Sequence, residues 1–125
     1  MRLRRFTESS GARRVGKLLG FVRVESVTKV RVVIHGNSMW PTFVDGDVLI
    51  GEQYDSGPLK LRDVVVVKHP LNPRVTVVKR LAEFLPDGRL FLEGDNPDPT
   101  ASEDSHSFGP VNSDAIIATI SHKCC

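Results

Sequence analysis

Short apolar runs with a two-residue period dominate the chain after its first 27 residues. In VTKVRVVI, residues 27–34, the alternation places Val30, Val32 and Ile34 on one face of an extended chain together with Thr28, whereas Lys29 and Arg31 fall on the other face. The run DVVVVK at 63–68 is apolar on both faces. This pattern is typical of an interior strand of a sheet, so it predicts a core built from strands.

Glycine, proline and aspartate separate these runs and predict turns. The segment from Gly51 to Pro58 predicts a loop or the tip of a hairpin. Pro86-Asp87-Gly88 predicts a hairpin turn between a strand at 75–84 and the strand RLFLE. The run AIIATI at 115–120 predicts a closing strand. We therefore expect a mainly β fold, a sandwich or partly open barrel of short strands with little helix.

The charge is uneven along the 125 residues, which is a length that suits one domain. Residues 1–26 form a basic segment, in which 13–22 predicts a short helix; residues 27–121 form the predicted domain, and residues 122–125 form a tail. The basic segment predicts either a solvated tail or peripheral contact with an anionic membrane face. We expect no nucleic-acid partner.

Several classes of protein are disfavoured by the composition. No run approaches the roughly 18 apolar residues that span a bilayer. We expect no metal and no cofactor, because the histidines lack metal-ligand spacing and the two cysteines are adjacent and terminal: His35, His69, His106, His122, Cys124 and Cys125. The expected location is the cytoplasm or the membrane face, and an organelle is the alternative if residues 1–20 are the remnant of a transit segment.

Lys79 lies in an apolar row of the predicted strand, beside Val77 and Leu81. Two interpretations stay open from position alone. The long side chain can carry its ammonium group to solvent. Alternatively, burial disfavours the charged form and lowers the pKa of the lysine, which would make the amine a general base. The neighbouring Arg80 could not act in this way because its guanidinium stays charged.

Ser38 lies where a strand ends and a turn begins, three residues before Pro41. Such a serine suits the start of a short helical turn, whose free N–H groups can face a developing oxyanion. A plain helix-capping serine is the alternative. A serine paired with a neutral lysine needs neither a histidine base nor a metal, so the two residues form a candidate nucleophile and base.

Four motifs occur in an order that resembles the signal peptidase I family, over residues 32–120. GNSMWPTFVDGDVLI resembles the serine box of that family, and VVKRL resembles its lysine box. DVVVVKHP resembles the apolar strand that Gly-Asp normally introduces, with Arg62 here in place of the glycine. GDNPDPTASEDSHSFG resembles the box Gly-Asp-Asn followed by Ser-x-Asp-Ser-Arg, with longer spacing and with His106 where arginine is usual.

The resemblance implies a signal peptidase-like β fold and a serine endopeptidase. It places the nucleophile on Ser38, the base on Lys79, the hydroxyl that orients the lysine on Ser102, and a structural anchor on Asp104. The backbone N–H of Ser38 is then the oxyanion donor. The peptide would lie as an extended strand in a cleft that includes Ile34, Gly36, Met39 and Val77.

Within this family, the stretch from Lys68 to Pro97 and the ending DSHSFGPV look most like the maturation proteases of nickel-type superoxide dismutase. That resemblance implies a precursor of this enzyme as the partner, with an N-terminal leader peptide as the substrate. The alternatives are a signal peptidase or mitochondrial inner-membrane peptidase-like enzyme without its anchor, a self-cleaving repressor-type domain, and a non-enzymatic β-rich binding module.

Overall fold

The computed structural model describes residues 8–9 and 28–124. Seven strands carry most of the ordered backbone: β1 (Glu8–Ser9), β2 (Thr28–Val33), β3 (Val48–Gln53), β4 (Val64–His69), β5 (Asn72–Phe84), β6 (Leu90–Glu93) and β7 (Ile116–Lys123). One α-helical turn, α1 (Ser105–Phe108), and a 3₁₀ turn at Ser113–Ala115 complete these elements. The prediction of a mainly β fold with little helix is confirmed. The predicted helix at 13–22 lies outside the described residues.

The described strands form one open sheet in the order β1-β2-β3-β7-β4-β5-β6, and every neighbouring pair is antiparallel. β4 lies between β7 and β5, which confirms the prediction of an interior strand for 63–68. The predicted hairpin is also present, because β5 pairs with β6 through Phe84 opposite Leu90. β7 does not close an edge, since it inserts between β3 and β4 in the middle of the sheet.

Two apolar clusters lie on the two faces of β4. Val64 and Val66 belong to one cluster, which also includes the buried residues of β2. Val65 and Val67 belong to the other, which includes Leu81 of β5 and Leu90 and Leu92 of β6. Because successive side chains of a strand point to opposite faces, an all-valine strand joins both clusters. Burial of apolar surface favours folding by about 25 cal/mol per Å². Because both of its faces are buried, β4 forms the centre of the core.

The predicted loop at Gly51–Pro58 starts later than expected, because β3 continues through Gln53. Gly51 lies at a register shift between β3 and β7, where a Cβ atom would overlap the carbonyl oxygen of Thr119. A glycine at this position therefore marks a close approach of two backbones within the sheet rather than a turn.

The sheet continues beyond residues 27–121, the predicted domain, at both ends. β7 runs to Lys123, which pairs with Leu49, so the sheet includes two residues of the segment predicted as a tail. β1 pairs with Thr28 and Lys29 of β2. Among residues 8–9 and 28–124, no helix has the length and apolar composition needed to cross a membrane.

Candidate active site

Lys79 is buried in the sheet. It lies on β5 opposite Val65 of β4, and only 2% of its surface is exposed. Its neighbours two residues away, Val77 and Leu81, belong to the apolar cluster that contains Val65. The side chain therefore does not carry its ammonium to solvent, which decides between the two interpretations of its position in favour of burial.

The amine of Lys79 has one hydrogen-bond partner among the side chains of the described residues. Nζ donates to Ser102 Oγ at 3.1 Å. Burial lowers the pKa of Lys79, and the negative charges of Asp104 and Glu103 oppose this effect without overcoming it. A lysine with a lowered pKa loses its proton more readily, so this amine has the property that a general base needs.

Ser38 lies in the connection between β2 and β3 and is half-buried. The chain here forms turns, and the hydrogen bond from Phe43 N to Met39 O at 2.9 Å closes one turn of the helical type without a regular helix following it. Asn96 binds this connection from across the molecule: its N–H donates to Ser38 O at 3.0 Å and its Nδ2 donates to Asn37 O at 2.8 Å. The position of Ser38 is thus set by a segment far away in sequence.

Gly94 lies between the backbone of Ser38 and the side chain of Ser102, the hydrogen-bond partner of Lys79. A Cβ atom built on Gly94 would overlap Ser102 Oγ and would lie 2.7 Å from Ser38 O. Both residues therefore press against the same glycine, and Ser102 in turn accepts the hydrogen bond of Lys79. The described residues include no hydrogen bond between Ser38 and Lys79 themselves. Catalytic hydrogen bonds are often long before substrate binds, so the arrangement is that of neighbouring groups around Gly94 rather than a formed dyad.

Asp104 connects the segment after β6 to α1. Its carboxylate accepts hydrogen bonds from Gly94 N at 3.0 Å, from His106 N at 3.0 Å and from the ring of His106 at 2.9 Å. Burial raises the pKa of Asp104, but these hydrogen bonds outweigh it and the pKa lies below its usual range. The anchoring role predicted for Asp104 therefore has a geometric counterpart, and His106 contacts it through both backbone and ring.

A second network was missed by the sequence analysis. Arg80 binds Asp95 through two hydrogen bonds, with Nε at 2.9 Å from Oδ1 and Nη2 at 2.6 Å from Oδ2. Thr42 donates to Asp95 Oδ2 at 2.6 Å. Burial raises the pKa of Asp95, but its hydrogen bonds from Arg80 and Thr42 hold it below the usual range. Thr42 belongs to the connection that carries Ser38 and Arg80 is adjacent to Lys79, so Asp95 joins the two halves of the site.

The residues predicted to line the cleft are placed differently from one another. Ile34 and Met39 are buried in the first apolar cluster, with 3% and 1% of their surface exposed, so they support the connection that carries Ser38 from within. Gly36 is exposed and Val77 is half-buried. A cavity of about 330 Å³ opens beside Ser102 and reaches Asp98 and His106. The cleft assignment remains a prediction.

The chain matches one family model and is similar to known proteases. The family model described as signal peptidase, peptidase S26, matches residues 15–84, a range that contains Ser38 and Lys79 and ends before Ser102. The mitochondrial ATP-independent inner membrane protease subunit 1a of Arabidopsis thaliana is 33% identical over 102 residues, which cover 62% of this chain and 60% of the relative. The mitochondrial inner membrane protease subunit 1 of Xenopus tropicalis is 32% identical over 101 residues, which cover 64% of this chain and 59% of the relative.

The chain thus spans about 60% of the length of these curated relatives. No solved structure matches it significantly.

Proposed function

Because the chain belongs to the signal peptidase family, peptidase S26, we propose that it is a serine endopeptidase in which Ser38 is the nucleophile and Lys79 is the general base. The observation that carries this proposal is the buried amine of Lys79, whose pKa is lowered and which binds Ser102 beside the backbone of Ser38. A buried lysine without a carboxylate partner in hydrogen-bond contact has little structural value, because desolvation of the amine costs stability. Its presence in an apolar sheet is better explained by chemistry.

The proposed reaction has two steps. Lys79 Nζ takes the proton of Ser38 Oγ, and the oxygen attacks the carbonyl carbon of the peptide bond. The backbone N–H of Ser38 stabilises the oxyanion, and the lysinium returns its proton to the leaving amine. Water then gives up a proton to Lys79 and attacks the acyl-enzyme, and the lysinium returns this proton to Ser38 Oγ as the acid product leaves. Ser102 accepts a hydrogen bond from Nζ and so limits where the amine points.

The substrate that we propose is the precursor of a nickel-type superoxide dismutase, from which the enzyme removes an N-terminal leader. This assignment is supported by the resemblance of residues 68–97 and of the ending DSHSFGPV to the maturation proteases of that enzyme. A second candidate is the processing of a mitochondrial precursor, which is favoured by the names of the two inner membrane proteases that the chain resembles.

An acylating serine probe tests the reaction class. We expect the probe to add its mass to Ser38 in the wild-type chain, and we expect Ser38→Ala and Lys79→Ala to abolish the reaction while both remain folded. Lys68→Ala is the matched control, since Lys68 is an exposed lysine of the neighbouring strand β4. Full labelling of Lys79→Ala at the wild-type rate would contradict the role of the lysine.

Incubation with precursors tests the substrate. The purified chain is mixed with a nickel superoxide dismutase precursor and, separately, with a mitochondrial precursor, and new N-termini are mapped by mass spectrometry. We expect one cut at the end of the dismutase leader that Ser38→Ala does not make. Cutting of the mitochondrial precursor alone would replace the first substrate by the second.

A further inference from the structure

Four consecutive residues, 102–105, bind three strands of the sheet and the residue that follows β6. Ser102 accepts from Lys79 of β5, and Ser105 Oγ accepts from Leu92 N of β6 at 2.9 Å. Asp104 accepts from Gly94 N, immediately after β6. Glu103 binds the last residue of β4, His69, with His69 Nε2 at 2.9 Å from Glu103 Oε1. The last of these contacts has no part in the reaction proposed above.

His69 is held in one orientation and one tautomer. The N–H of Leu71 donates to Nδ1 at 3.1 Å, so Nδ1 carries no proton and the ring proton is on Nε2. Nε2 therefore donates to Glu103. The ring is buried and lies 4.9 Å from the ring of Phe108 at the end of α1, with an interplanar angle of 59°. A rigid donor of this kind fixes the carboxylate that it binds.

Glu103 has a long side chain with several rotatable bonds, and 67% of this side chain is accessible to solvent. Without a fixed partner, its charge would spread over many rotamers, and solvent would screen it. The bond to His69 keeps the carboxylate beside the segment that holds Ser102. The charged groups that act on Lys79 are Asp104 and Glu103, and of these Asp104 is engaged by Gly94 and His106.

We propose that His69 and Glu103 are positioning residues of the active site, in which His69 fixes Glu103 so that the pair holds Ser102 against Lys79 and keeps a negative charge near the lysine. The proposal rests on the proposed function of Ser38 and Lys79. The carboxylate favours the protonated amine, so removing its charge favours the neutral amine at lower pH.

Glu103→Gln tests the charge. Glutamine can still accept the hydrogen bond from His69, so the segment stays in place while the charge is lost. We expect the acid limb of kcat/KM to move down by about half a pH unit, a small shift because the carboxylate is largely in water. The variant is then more active than the wild type below the midpoint, which a defect of folding could not produce. Glu83→Gln on β5 removes an exposed charge that does not act on Lys79, and should leave the midpoint unchanged.

A pair of substitutions at His69 tests the hydrogen bond. His69→Phe keeps a ring against Phe108 but removes the donor, whereas the amide of His69→Gln can place a donor near the position of Nε2. We expect kcat to fall about tenfold in His69→Phe with KM within twofold, because Ser102 loses its support. His69→Gln should recover most of this loss, and its acid limb should match that of the wild type.

Titration of the Lys79 amine by NMR separates this proposal from the proposed function. A lower titration midpoint of Lys79 in Glu103→Gln supports the roles of His69 and Glu103 even if no peptide is cut. In that case only the peptidase assignment fails. The positioning roles of His69 and Glu103 are overturned, and the peptidase assignment stands, if three results are found together. Cutting depends on Ser38, the Lys79 midpoint is unchanged in Glu103→Gln, and His69→Phe and His69→Gln cut at equal rates.

Discussion

Gly94→Ala is the substitution that most directly tests how the site is assembled. The new methyl group would overlap Ser102 Oγ and would lie 2.7 Å from Ser38 O, whereas an ordinary contact begins at 3.4 Å. The carbonyl of Ser38 must therefore withdraw by about 0.7 Å, and the hydroxyl of Ser102 by about 1 Å, before the methyl group fits. These shifts act on both sides of the Ser38 and Lys79 arrangement at once.

A misplacement of about 1 Å can reduce a rate by about 100-fold, so we expect kcat/KM of Gly94→Ala to fall by roughly 10-fold to 100-fold. Overpacking of this kind also costs about 1–3 kcal/mol in the free energy of unfolding. The assay is the rate of Ser38 acylation by an active-site probe, followed by mass spectrometry and corrected for the folded fraction measured by urea unfolding.

Gly51→Ala is the matched control. Its methyl group would overlap the backbone of Thr119 between β3 and β7, so it also destabilises the sheet, but it contacts no residue of the candidate site. We expect its folded molecules to react at the wild-type rate. If folded Gly94→Ala reacts within twofold of the wild type, the contacts around Gly94 do not position the reacting groups and the reasoning is refuted.

Three further outcomes are expected. Lys79→Met should raise the melting temperature at pH 7, and the gain should shrink toward pH 10.5; thermal melts at both pH values check this. Between the lowered pKa of Lys79 in the folded chain and its ordinary pKa in the unfolded chain, the unfolded wild type binds more protons, so the wild type becomes more stable as the pH rises. Asp95→Asn breaks the paired bond to Arg80 and should reduce acylation several-fold, measured beside the unfolding free energy. Ser105→Ala leaves the buried Leu92 N–H without its acceptor and should cost about 1–3 kcal/mol in urea unfolding.

The sequence predicts those parts of the fold that depend on local pattern. The unbroken valine run identifies β4 as an interior strand because both faces must be covered, and this holds whatever its partners are. The place of β7 between β3 and β4 could not be predicted, since periodicity shows which face of a strand is buried but not which strand lies beside it. Gly51 was misinterpreted for the same reason: the close approach of Thr119 is a contact across strands.

The candidate site divides in a similar way. The position of Lys79 in an apolar row indicated burial as one of two interpretations, and the structure decides in its favour. The bond from Arg80 to Asp95 joins residues 15 apart, and nothing in either neighbourhood indicates the pairing. For His69 the sequence excluded a role as metal ligand but indicated no other role. Its histidine-proline position at the end of a buried strand was the available signal, because a buried imidazole needs a partner for each ring nitrogen.

A lysine base beside two carboxylates presents a physical problem, because negative charge favours the protonated amine. In this site each carboxylate is already engaged by other donors. Asp104 receives hydrogen bonds from Gly94 and His106, and Glu103 receives one from His69 while most of its surface remains in water. Neither carboxylate makes a hydrogen bond to Lys79, whose amine instead binds the neutral hydroxyl of Ser102. Burial therefore dominates, and the pKa of Lys79 stays below its ordinary value although two acids lie nearby. It follows that releasing Asp104 from its donors is more damaging to the base than removing its charge, since this largely buried carboxylate can then turn toward the amine and hold its proton.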